Sequence, residues 1–479
     1  MRDLKDLEPK RVFHYFSEIA KIPRCSGDEK RISDYLKDVG QELGLETIQD
    51  ELKNIIIKKP ATKGYEDSEG VIIQGHMDMV CEKEEGVEHD FSKDPIDVFV
   101  EDDFVKADGT TLGADNGIAV AMGLAILEDD SLEHPDLELL VTVSEETEMD
   151  GALGLKPGLL EGTRLLNVDS EEEGFLTVGS AGGELIEGAI DTKLEGVSGY
   201  KGVNVTITGL SGGHSGMEID KDRANALKIA LNVLETLNGK LDIKLVSIDG
   251  GTKDNAIPRK TEIKLAVKEG EFEKLKEEVE SIEKQVQAEY PEEDARILLE
   301  EAGSIDEALR DEDLENTIYL LDKLPTGINT WLEDREDTVE SSSNLAIIDT
   351  EEKKIRVYVS TRSSNEKILK EMRESITGDI AKVGESNITG NYPEWEYKPE
   401  SELRDKAVEL YEKMYDREME VIVIHAGLES GAFKKTYKDL DIISFGPDIF
   451  DAHVPQERLS ISSTERTFDY LEELLKELK

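Results

Sequence analysis

The chain is poor in cysteine, in aromatic residues and in positive charge. Its 479 residues include 2 cysteines and 5% aromatic residues, and 57 Lys and Arg against 109 Asp and Glu give a formal net charge of −52 at pH 7. Two cysteines exclude a disulfide framework and suit a reducing compartment. The excess of carboxylates repels a phosphate backbone, so we expect no nucleic-acid partner.

Long apolar runs are also missing. No stretch approaches the roughly 20 apolar residues that cross a bilayer. The charged residues 1–6 do not lead into the apolar core of a signal peptide. We therefore predict a cytoplasmic protein without a membrane partner.

The acidic surface has two interpretations, and both stay open. One is ordinary solubility. The other is adaptation to a very salty cytoplasm, because molar salt screens charge repulsion within about 3 Å. Salt adaptation predicts that the melting temperature rises between low and molar KCl, as ions relieve the repulsion among carboxylates. Thermal melts across a KCl series check this, and a flat or falling melting temperature would exclude it.

The chain length predicts more than one domain. Short β-type runs alternate with helical patterns in the first part, which indicates an α/β domain with a mixed, largely parallel sheet. The pattern of predicted strands and helices changes near Gly188 and returns near Glu394. The residues between these two positions are predicted to form two similar α+β halves. We predict a catalytic domain in two parts, 1–187 and 395–479, interrupted by an inserted lid or dimerisation domain, 188–394, with hinges at both junctions.

Several predicted elements flank candidate chemical residues. The predicted strands are 54–57, 71–74, 137–144, 165–169 and 441–445, and a buried helix is predicted over 117–127. Ser26 and Glu29 have the spacing of a capping box and predict the start of another helix.

Polar residues of metal-binding type follow these strands. The strand 71–74 leads into Gly75-His76-Met77-Asp78. Alternate residues of an extended chain face the same side, so Asp78 can hydrogen-bond to His76 and orient its ring. Taken alone, a His-x-Asp triplet is usually a simple surface pair.

The other segments with candidate ligands also have ordinary explanations when each is considered alone. Asp115 precedes the predicted helix and by itself suggests a helix cap. Glu145 and Glu146 end an apolar strand, but an acidic pair is weak evidence in so acidic a chain. Asp169 ends another strand, and His453 lies in a loop beyond the last one. Together these N and O ligands at successive strand ends suit two zinc ions that share one carboxylate.

Six segments, in order along the chain, resemble the aminoacyl-histidine dipeptidases. This family belongs to the co-catalytic zinc metallopeptidases, with the aminoacylases and succinyl-diaminopimelate desuccinylase. The segments are 75–80, 111–117, 144–146, 167–170, 211–216 and 425–429. The resemblance extends over nearly the whole chain.

The resemblance implies a site with two zinc ions, which Mn²⁺ or Co²⁺ can replace. The implied ligands are His76 and Asp169 for one ion, Glu146 and His453 for the other, and Asp115 as a bridge between the two. With this N/O set complete, Cys81 is interpreted as a core-packing residue and not as a ligand.

The resemblance also implies the catalytic residues. Asp78 would orient His76, and Glu145 would be the general base that activates a metal-bridging water. His214 would stabilise the oxyanion, and a cis peptide bond would follow Asp115.

Four further residues are implied to bind the substrate. Asn255 resembles a family position that contacts substrate, and Arg362 one that binds its C-terminal carboxylate. His425 and Glu429 match a segment of the dipeptidases, where Glu429 either binds the substrate ammonium or supports the metal ligands.

The function implied is zinc-dependent hydrolysis of unblocked dipeptides, including those with C-terminal histidine, by a possible homodimer. Asp169 favours substrates with a free amino group, because deacylases of the wider family tend to have Glu there. The alternatives are a tripeptidase or an N-acyl amino acid deacylase on the same scaffold. An inactive peptide- or metal-binding homologue is a remote alternative, since Glu145 and the ligand set are intact.

Overall fold

The structure is a computed structural model that describes residues 4–333 and 335–479. Within these ranges the α-helices, which follow a 3-10 turn at Leu4–Asp6, are α1 (Lys10–Ile19), α2 (Lys30–Glu42), α3 (Ala114–Glu128), α4 (Asp150–Leu153), α5 (Ala226–Lys240), α6 (Phe272–Glu289), α7 (Asp311–Lys323), α8 (Glu366–Ile380), α9 (Glu402–Tyr415), α10 (Glu429–Thr436) and α11 (Ile461–Glu477). None of the helices in the described ranges has the length and apolar character needed to cross a membrane.

The strands of the described ranges are β1 (Glu46–Gln49), β2 (Ile55–Lys59), β3 (Val71–His76), β4 (Val98–Glu101), β5 (Phe104–Ala107), β6 (Leu137–Thr142), β7 (Arg164–Asn167), β8 (Phe175–Ser180), β9 (Gly182–Asp191), β10 (Leu194–Gly196), β11 (Tyr200–Thr208), β12 (Gly213–His214), β13 (Ile243–Gly250), β14 (Ala256–Ile257), β15 (Thr261–Lys268), β16 (Arg296–Ser304), β17 (Glu307–Leu309), β18 (Gly327–Leu332), β19 (Arg335–Glu351), β20 (Lys354–Ser363), β21 (Glu385–Tyr392), β22 (Glu420–Ile424), β23 (Asp441–Ser444), β24 (Ile449–Phe450) and β25 (Arg458–Ser460).

The chain divides into two compact units. The first contains residues 1–180, 397–423 and 428–479, and the second contains 181–396 and 424–427. The predicted insertion, 188–394, falls inside the second unit, which extends further at both ends. The difference has a structural reason, because β9 already pairs with β20 from its first residue onward. Such pairing between distant segments leaves no local mark in the sequence.

The first unit contains a mixed sheet with the strand order β1-β2-β6-β3-β7-β23-β8-β22. Its central strands β6, β3, β7 and β23 run parallel to one another, and antiparallel strands flank them. Every residue of β3 and β6 is buried, as expected for parallel strands covered on both faces. The predicted α/β fold with a mixed, largely parallel sheet is confirmed.

Helix α3 lies against this sheet and is buried all round. Residues 114–127 are all buried, since the helix packs against both α1 and β3. An added Cβ at Gly123 would lie 2.3 Å from Leu139 Cδ1. The small residues of α3 therefore permit the close packing that holds the start of the helix at the sheet edge.

The second unit is built on an antiparallel sheet. Its strand order is β16-β11-β15-β13-β19-β20-β9-β21, with β18 paired to β19. Helices α5 and α6 lie beside the first strands of this order, and α8 lies beside the last. The predicted α+β character is therefore confirmed. The two predicted halves join in one sheet through a single residue pair between β13 and β19, Gly250 with Ile348.

The two cysteines are joined, contrary to the interpretation of Cys81 as a core-packing residue. Cys25 and Cys81 form a disulfide with a Cα–Cα distance of 5.7 Å, and both residues are partly exposed. The pairing brings together residues 56 positions apart, which a count of cysteines does not show. The inference from cysteine content to a reducing compartment therefore loses its support.

Reduction of this disulfide is expected to destabilise the first unit. Opening a loop of this length returns conformational entropy to the unfolded chain and costs about 4 kcal/mol of unfolding free energy. Urea unfolding of the metal-free chain with and without reductant measures the loss. A Cys25→Ser/Cys81→Ser chain serves as control, and its urea midpoint should be the same with and without reductant. Equal midpoints for the unmodified chain in both buffers would contradict the expectation.

Candidate metal centre and substrate-binding residues

The carboxyl edge of the parallel strands carries the predicted ligands of the first unit. Strand β3 ends at His76, Glu145 and Glu146 follow β6, and Asp169 follows β7. Because these strands are parallel neighbours, their carboxyl ends meet at one edge, where open α/β sheets hold their sites. His453 comes from the loop after β24.

Asp115 lies between the two histidines. Its Oδ1 is 3.1 Å from His76 Nε2, and its Oδ2 is 3.1 Å from His453 Nε2. The peptide bond from Asp115 to Asn116 is cis, as the family resemblance implied. Each oxygen of one carboxylate thus faces a different imidazole, which is the arrangement that a bridging ligand requires.

Each histidine also has a second carboxylate beside it. Asp169 Oδ1 lies 3.5 Å from His76 Nε2, and Glu146 Oε2 lies 3.0 Å from His453 Nε2. The structure therefore brings all five predicted ligands together as two groups that share Asp115. Ligand atoms of His76, Asp115 and Glu146 all lie within 4.8 Å of one another.

The pKa values of these groups record strong mutual interactions. Burial acts to lower the pKa of His76, but neighbouring carboxylates outweigh it and raise that pKa well above its ordinary range. Hydrogen bonds to Asp115 and Glu146 raise the pKa of His453 to about 11. Burial, opposed by His76 and reinforced by nearby carboxylates, raises the pKa of Glu145 to about 8.

The donor set fits a divalent cation. Buried like-charged carboxylates repel one another unless a positive charge lies between them. In the part of the chain that the structure describes, Glu146 Oε1 is buried without a hydrogen-bond partner. Imidazole nitrogens and carboxylate oxygens together suit zinc, manganese or cobalt. We therefore identify this cluster as a candidate metal site.

Asp78 orients both His76 and the acidic segment after β6. Its Oδ1 lies 3.3 Å from His76 Nδ1 and accepts the Glu145 N–H at 3.1 Å, while its Oδ2 accepts the Glu146 N–H at 3.3 Å. Asp78 Oδ2 also accepts a 2.7 Å hydrogen bond from Ser26 Oγ. One buried carboxylate thereby positions both a predicted ligand and the predicted general base.

The predicted capping box at Ser26 and Glu29 is wrong. Helix α2 begins at Lys30, and the Glu29 side chain accepts from Gly27 N and from Ser144 Oγ. Both side chains bind distant or loop residues because the tertiary structure offers them partners near the metal site.

Asn116 is a residue of the site that sequence reasoning did not single out. Its Nδ2 donates to Val168 O at 2.7 Å, and its Oδ1 accepts the His76 N–H at 3.2 Å. An added Cβ at Gly75 would lie 2.3 Å from Asn116 Oδ1. The glycine before His76 therefore makes room for the amide that ties β3 to the segment carrying Asp115.

Glu429 lies at the start of α10 in a buried polar network of the first unit. Its Oε2 accepts hydrogen bonds from Gln74 Nε2 at 2.7 Å and Thr142 Oγ1 at 2.8 Å. Burial raises the pKa of Glu429 to about 7. Its Oε1 is buried and has no hydrogen-bond partner among the described residues.

The second unit brings its own predicted residues together around Gly216. A Cβ added there would lie 2.4 Å from His425 O, 3.1 Å from His214 Cε1 and 3.3 Å from Arg362 Nε. Asn255 joins the same group, since its carbonyl accepts the N–H of Ser215 at 2.8 Å. These four residues are distant in sequence and are assembled by the fold of this unit.

The hydrogen bonds of His214 determine its tautomer. Its Nδ1 accepts the N–H groups of Gly216 at 3.1 Å and Met217 at 2.9 Å. Burial lowers the pKa of His214, and Arg362 adds to that effect. The ring is therefore neutral with its proton on Nε2, which makes Nε2 a hydrogen-bond donor.

Arg362 is buried and held by Tyr392, another residue that sequence reasoning missed. Arg362 Nη1 donates to the Tyr392 hydroxyl at 2.7 Å. The Tyr392 ring packs so closely on Gly427 that a Cβ there would lie 2.6 Å from Tyr392 Cε2. His425, nearby, hydrogen-bonds through Nε2 to Ser342 Oγ at 2.7 Å, and burial lowers its pKa to about 3.

Comparison with known proteins agrees with this fold. A family model described as a peptidase dimerisation domain matches residues 196–294. The cytosol non-specific dipeptidase of Escherichia coli K12 is 35% identical over 484 residues, covering 100% of this chain and 99% of that protein. The crystal structure of aminoacylhistidine dipeptidase from Vibrio alginolyticus is 34% identical with a TM-score of 0.94, covering 100% of this chain and 98% of the other.

A more distant structure shares the fold alone. The aminopeptidase PepT from Bacillus cereus has a TM-score of 0.57 at 14% identity, with 98% of this chain and 99% of that chain covered.

The fold and the ligand cluster define an M20 metallopeptidase, a hydrolase that acts on peptide bonds. Within that class, the chain belongs to the family of the cytosol non-specific and aminoacylhistidine dipeptidases. The family inferred from the sequence motifs is confirmed.

Proposed function

We propose that this protein hydrolyses unblocked dipeptides, including those with a C-terminal histidine, with two zinc ions per chain. The observation that carries the proposal is Asp115, whose two oxygens each face a different histidine at 3.1 Å. That arrangement suits one carboxylate shared by two metals. The printed names of the full-length relatives, a non-specific and an aminoacylhistidine dipeptidase, support the substrate class.

In this proposal the chain holds the two ions with separate residues. His76 and Asp169 would hold one ion, Glu146 and His453 would hold the other, and Asp115 would be shared by both. Bound zinc would supply Lewis acidity toward the scissile carbonyl and lower the pKa of a water.

Glu145 acts as the general base that takes the proton of the attacking water and passes it to the leaving amine. Its support is positional, because its Oε2 lies 3.9 Å from His76 Nε2 and its backbone is fixed by Asp78. The exposed fraction of the Glu145 side chain is 15%, so a small substrate can reach it.

His214 donates a hydrogen bond from Nε2 to the developing oxyanion. The two N–H bonds to Nδ1 support this role, because they hold the neutral tautomer whose Nε2 carries a proton.

Two charged residues recognise the two ends of the dipeptide. Arg362 binds the C-terminal carboxylate, as a planar guanidinium is suited to do, with Asn255 and His425 contacting the same part of the substrate. Glu429 binds the free ammonium through the Oε1 that its network leaves unpaired.

Activity assays on a small substrate panel test the proposal. The metal-stripped chain is reloaded with zinc and given β-Ala-His, Gly-His, Ala-Leu, a tripeptide and an N-acetyl amino acid. Zinc-dependent cleavage of the free dipeptides alone is expected. Cleavage of only the tripeptide or only the acetylated substrate would replace the proposal with a tripeptidase or a deacylase.

Replacing Arg362 by lysine is expected to raise KM for dipeptides by roughly 10-fold or more. The loss of one charge-assisted hydrogen bond costs about 1.5–3 kcal/mol, and 1.4 kcal/mol is tenfold. Steady-state kinetics with Ala-Leu measure the change. Arg356→Lys, on the same strand β20, is the control and should leave KM unchanged; equal KM values for both variants would contradict the assignment of Arg362.

We also propose a homodimer in the cytoplasm. The match of 196–294 to a peptidase dimerisation domain supports the dimer, and the printed name of the Escherichia coli relative supports the location. Sedimentation analysis of the zinc-loaded protein should give twice the 53.4 kDa chain mass; a single-chain mass would exclude the dimer.

A further inference from the structure

Glu457 is a buried acid that sequence reasoning did not connect with the site. It lies in the same loop region as His453, and its exposed fraction is 2%. Its carboxylate accepts hydrogen bonds from four consecutive backbone N–H groups: those of Leu112 at 2.7 Å and Gly113 at 2.9 Å to Oε2, and those of Ala114 at 2.7 Å and Asp115 at 3.3 Å to Oε1.

Leu112 and Gly113 precede α3, and Ala114 and Asp115 are its first two residues, so these N–H groups lie at the N-terminal end of the helix. The first N–H groups of a helix have no acceptor within the helix and carry partial positive charge. A side chain at the N-cap normally accepts from them, but Gly113, which occupies that position with φ +69°, has none. Glu457 supplies the missing acceptor from a distant part of the sequence.

The contacts of Glu457 connect the chain segments that carry two predicted metal ligands. One of its four donors is the backbone of Asp115, and His453 lies just before it in the chain. Asp115 Oδ2 and His453 Nε2 are 3.1 Å apart. We propose that Glu457 is a positioning residue of the metal centre, which sets the spacing of Asp115 and His453 by joining the two segments that carry them.

The two proposed metal positions depend on Glu457 to different degrees. His76 is fixed independently, because it ends a buried strand, its backbone N–H donates to Asn116 Oδ1 at 3.2 Å, and its Nδ1 lies 3.3 Å from Asp78 Oδ1. His453 is on a loop, and its side chain is 49% exposed. Loss of the Glu457 carboxylate is therefore expected to loosen the His453 position more than the His76 position.

Metal titration of Glu457→Gln tests the proposal. The variant keeps the side-chain volume but turns an amide NH₂ toward two N–H donors. We expect at least one zinc ion to bind 10- to 100-fold more weakly, as is usual when partners of ligands are lost. Competition with a chromophoric chelator measures the affinity, and the visible spectrum of the Co²⁺-loaded chain reports the altered ligand geometry.

Glu138→Gln is the matched control. Glu138 has an exposed fraction of 4% and likewise accepts two backbone N–H groups, from Glu161 and Gly162, both at 2.8 Å. It is at the opposite end of β6 from Glu145. Its variant is expected to bind zinc within about 3-fold of the unmodified chain, against the 10- to 100-fold range expected for an outer partner.

The outcomes separate this proposal from the proposed function, on whose metal centre it rests. Equal zinc affinity for Glu457→Gln and the unmodified chain would overturn the role of Glu457 alone, as would an equal loss in Glu138→Gln. A single zinc ion in the unmodified chain would overturn the two-metal proposal, while its affinity in the variant would still test Glu457. Should Glu457→Gln fail to fold, Glu457→Asp, which shortens the reach of the carboxylate, is titrated with the same expectation.

Discussion

Glu145→Gln is expected to lower kcat by about 10²- to 10⁴-fold, the contribution of a positioned general base. The amide keeps the size of the side chain but cannot take a proton from water. The backbone of Glu145 is held by Asp78, so the neighbouring ligands should stay in place. KM and bound zinc are therefore expected to change little, and steady-state kinetics with metal analysis measure all three quantities.

The matched control for Glu145 is Glu148→Gln. Glu148 follows in the same segment and is exposed, so its substitution changes the same charge without touching the site. Its kcat should equal that of the unmodified chain. Retention of kcat in Glu145→Gln would remove this residue from the mechanism, and loss of zinc in that variant would make it a ligand instead.

Asp115→Asn is expected to abolish activity by removing metal. An amide offers one oxygen where the carboxylate offers two, so one of the two histidines would lose the oxygen that now faces it. We expect zinc affinity to fall by more than about 100-fold, the upper end of the loss that follows when only an outer partner is removed. Chelator competition measures the affinity, and dipeptide assays at saturating zinc measure the remaining rate.

Asp130→Asn provides the comparison for Asp115. Asp130 is exposed, just beyond the other end of α3, and its substitution should change neither zinc affinity nor rate. If Asp115→Asn binds two zinc ions as tightly as this control, Asp115 is not a bridge between them and its assignment fails.

The residues of the candidate metal site could be predicted from the sequence because their signals are local. His76, Asp169 and the pair Glu145 and Glu146 each follow a short apolar run, and parallel strands bring such positions to one edge of a sheet. Their order along the chain sufficed to recognise the family. The α/β fold of the first unit followed from the same alternation of strands and helices.

The residues that hold the site residues in place could not be predicted from the sequence, because their partners are far away along the chain. Ser26 has the spacing of a helix cap but donates to Asp78, and Cys81 is paired with Cys25. Tyr392 and Glu457 lie in no motif, and their roles follow from contacts with Arg362 and with the start of α3.

The difference between local sequence signals and contacts between distant segments also explains the domain boundaries. The residue pattern of the inserted region becomes visible only near Gly188, but β9 begins at Gly182 because its partner strand β20 extends that far. The residues of the candidate metal site lie in short segments. The residue types in these segments and their order along the chain are sufficient to recognise the family. Pairing, packing and charge neutralisation depend on which segments meet in three dimensions, since a hydrogen bond or a disulfide is specified by distance in space and not by separation along the chain.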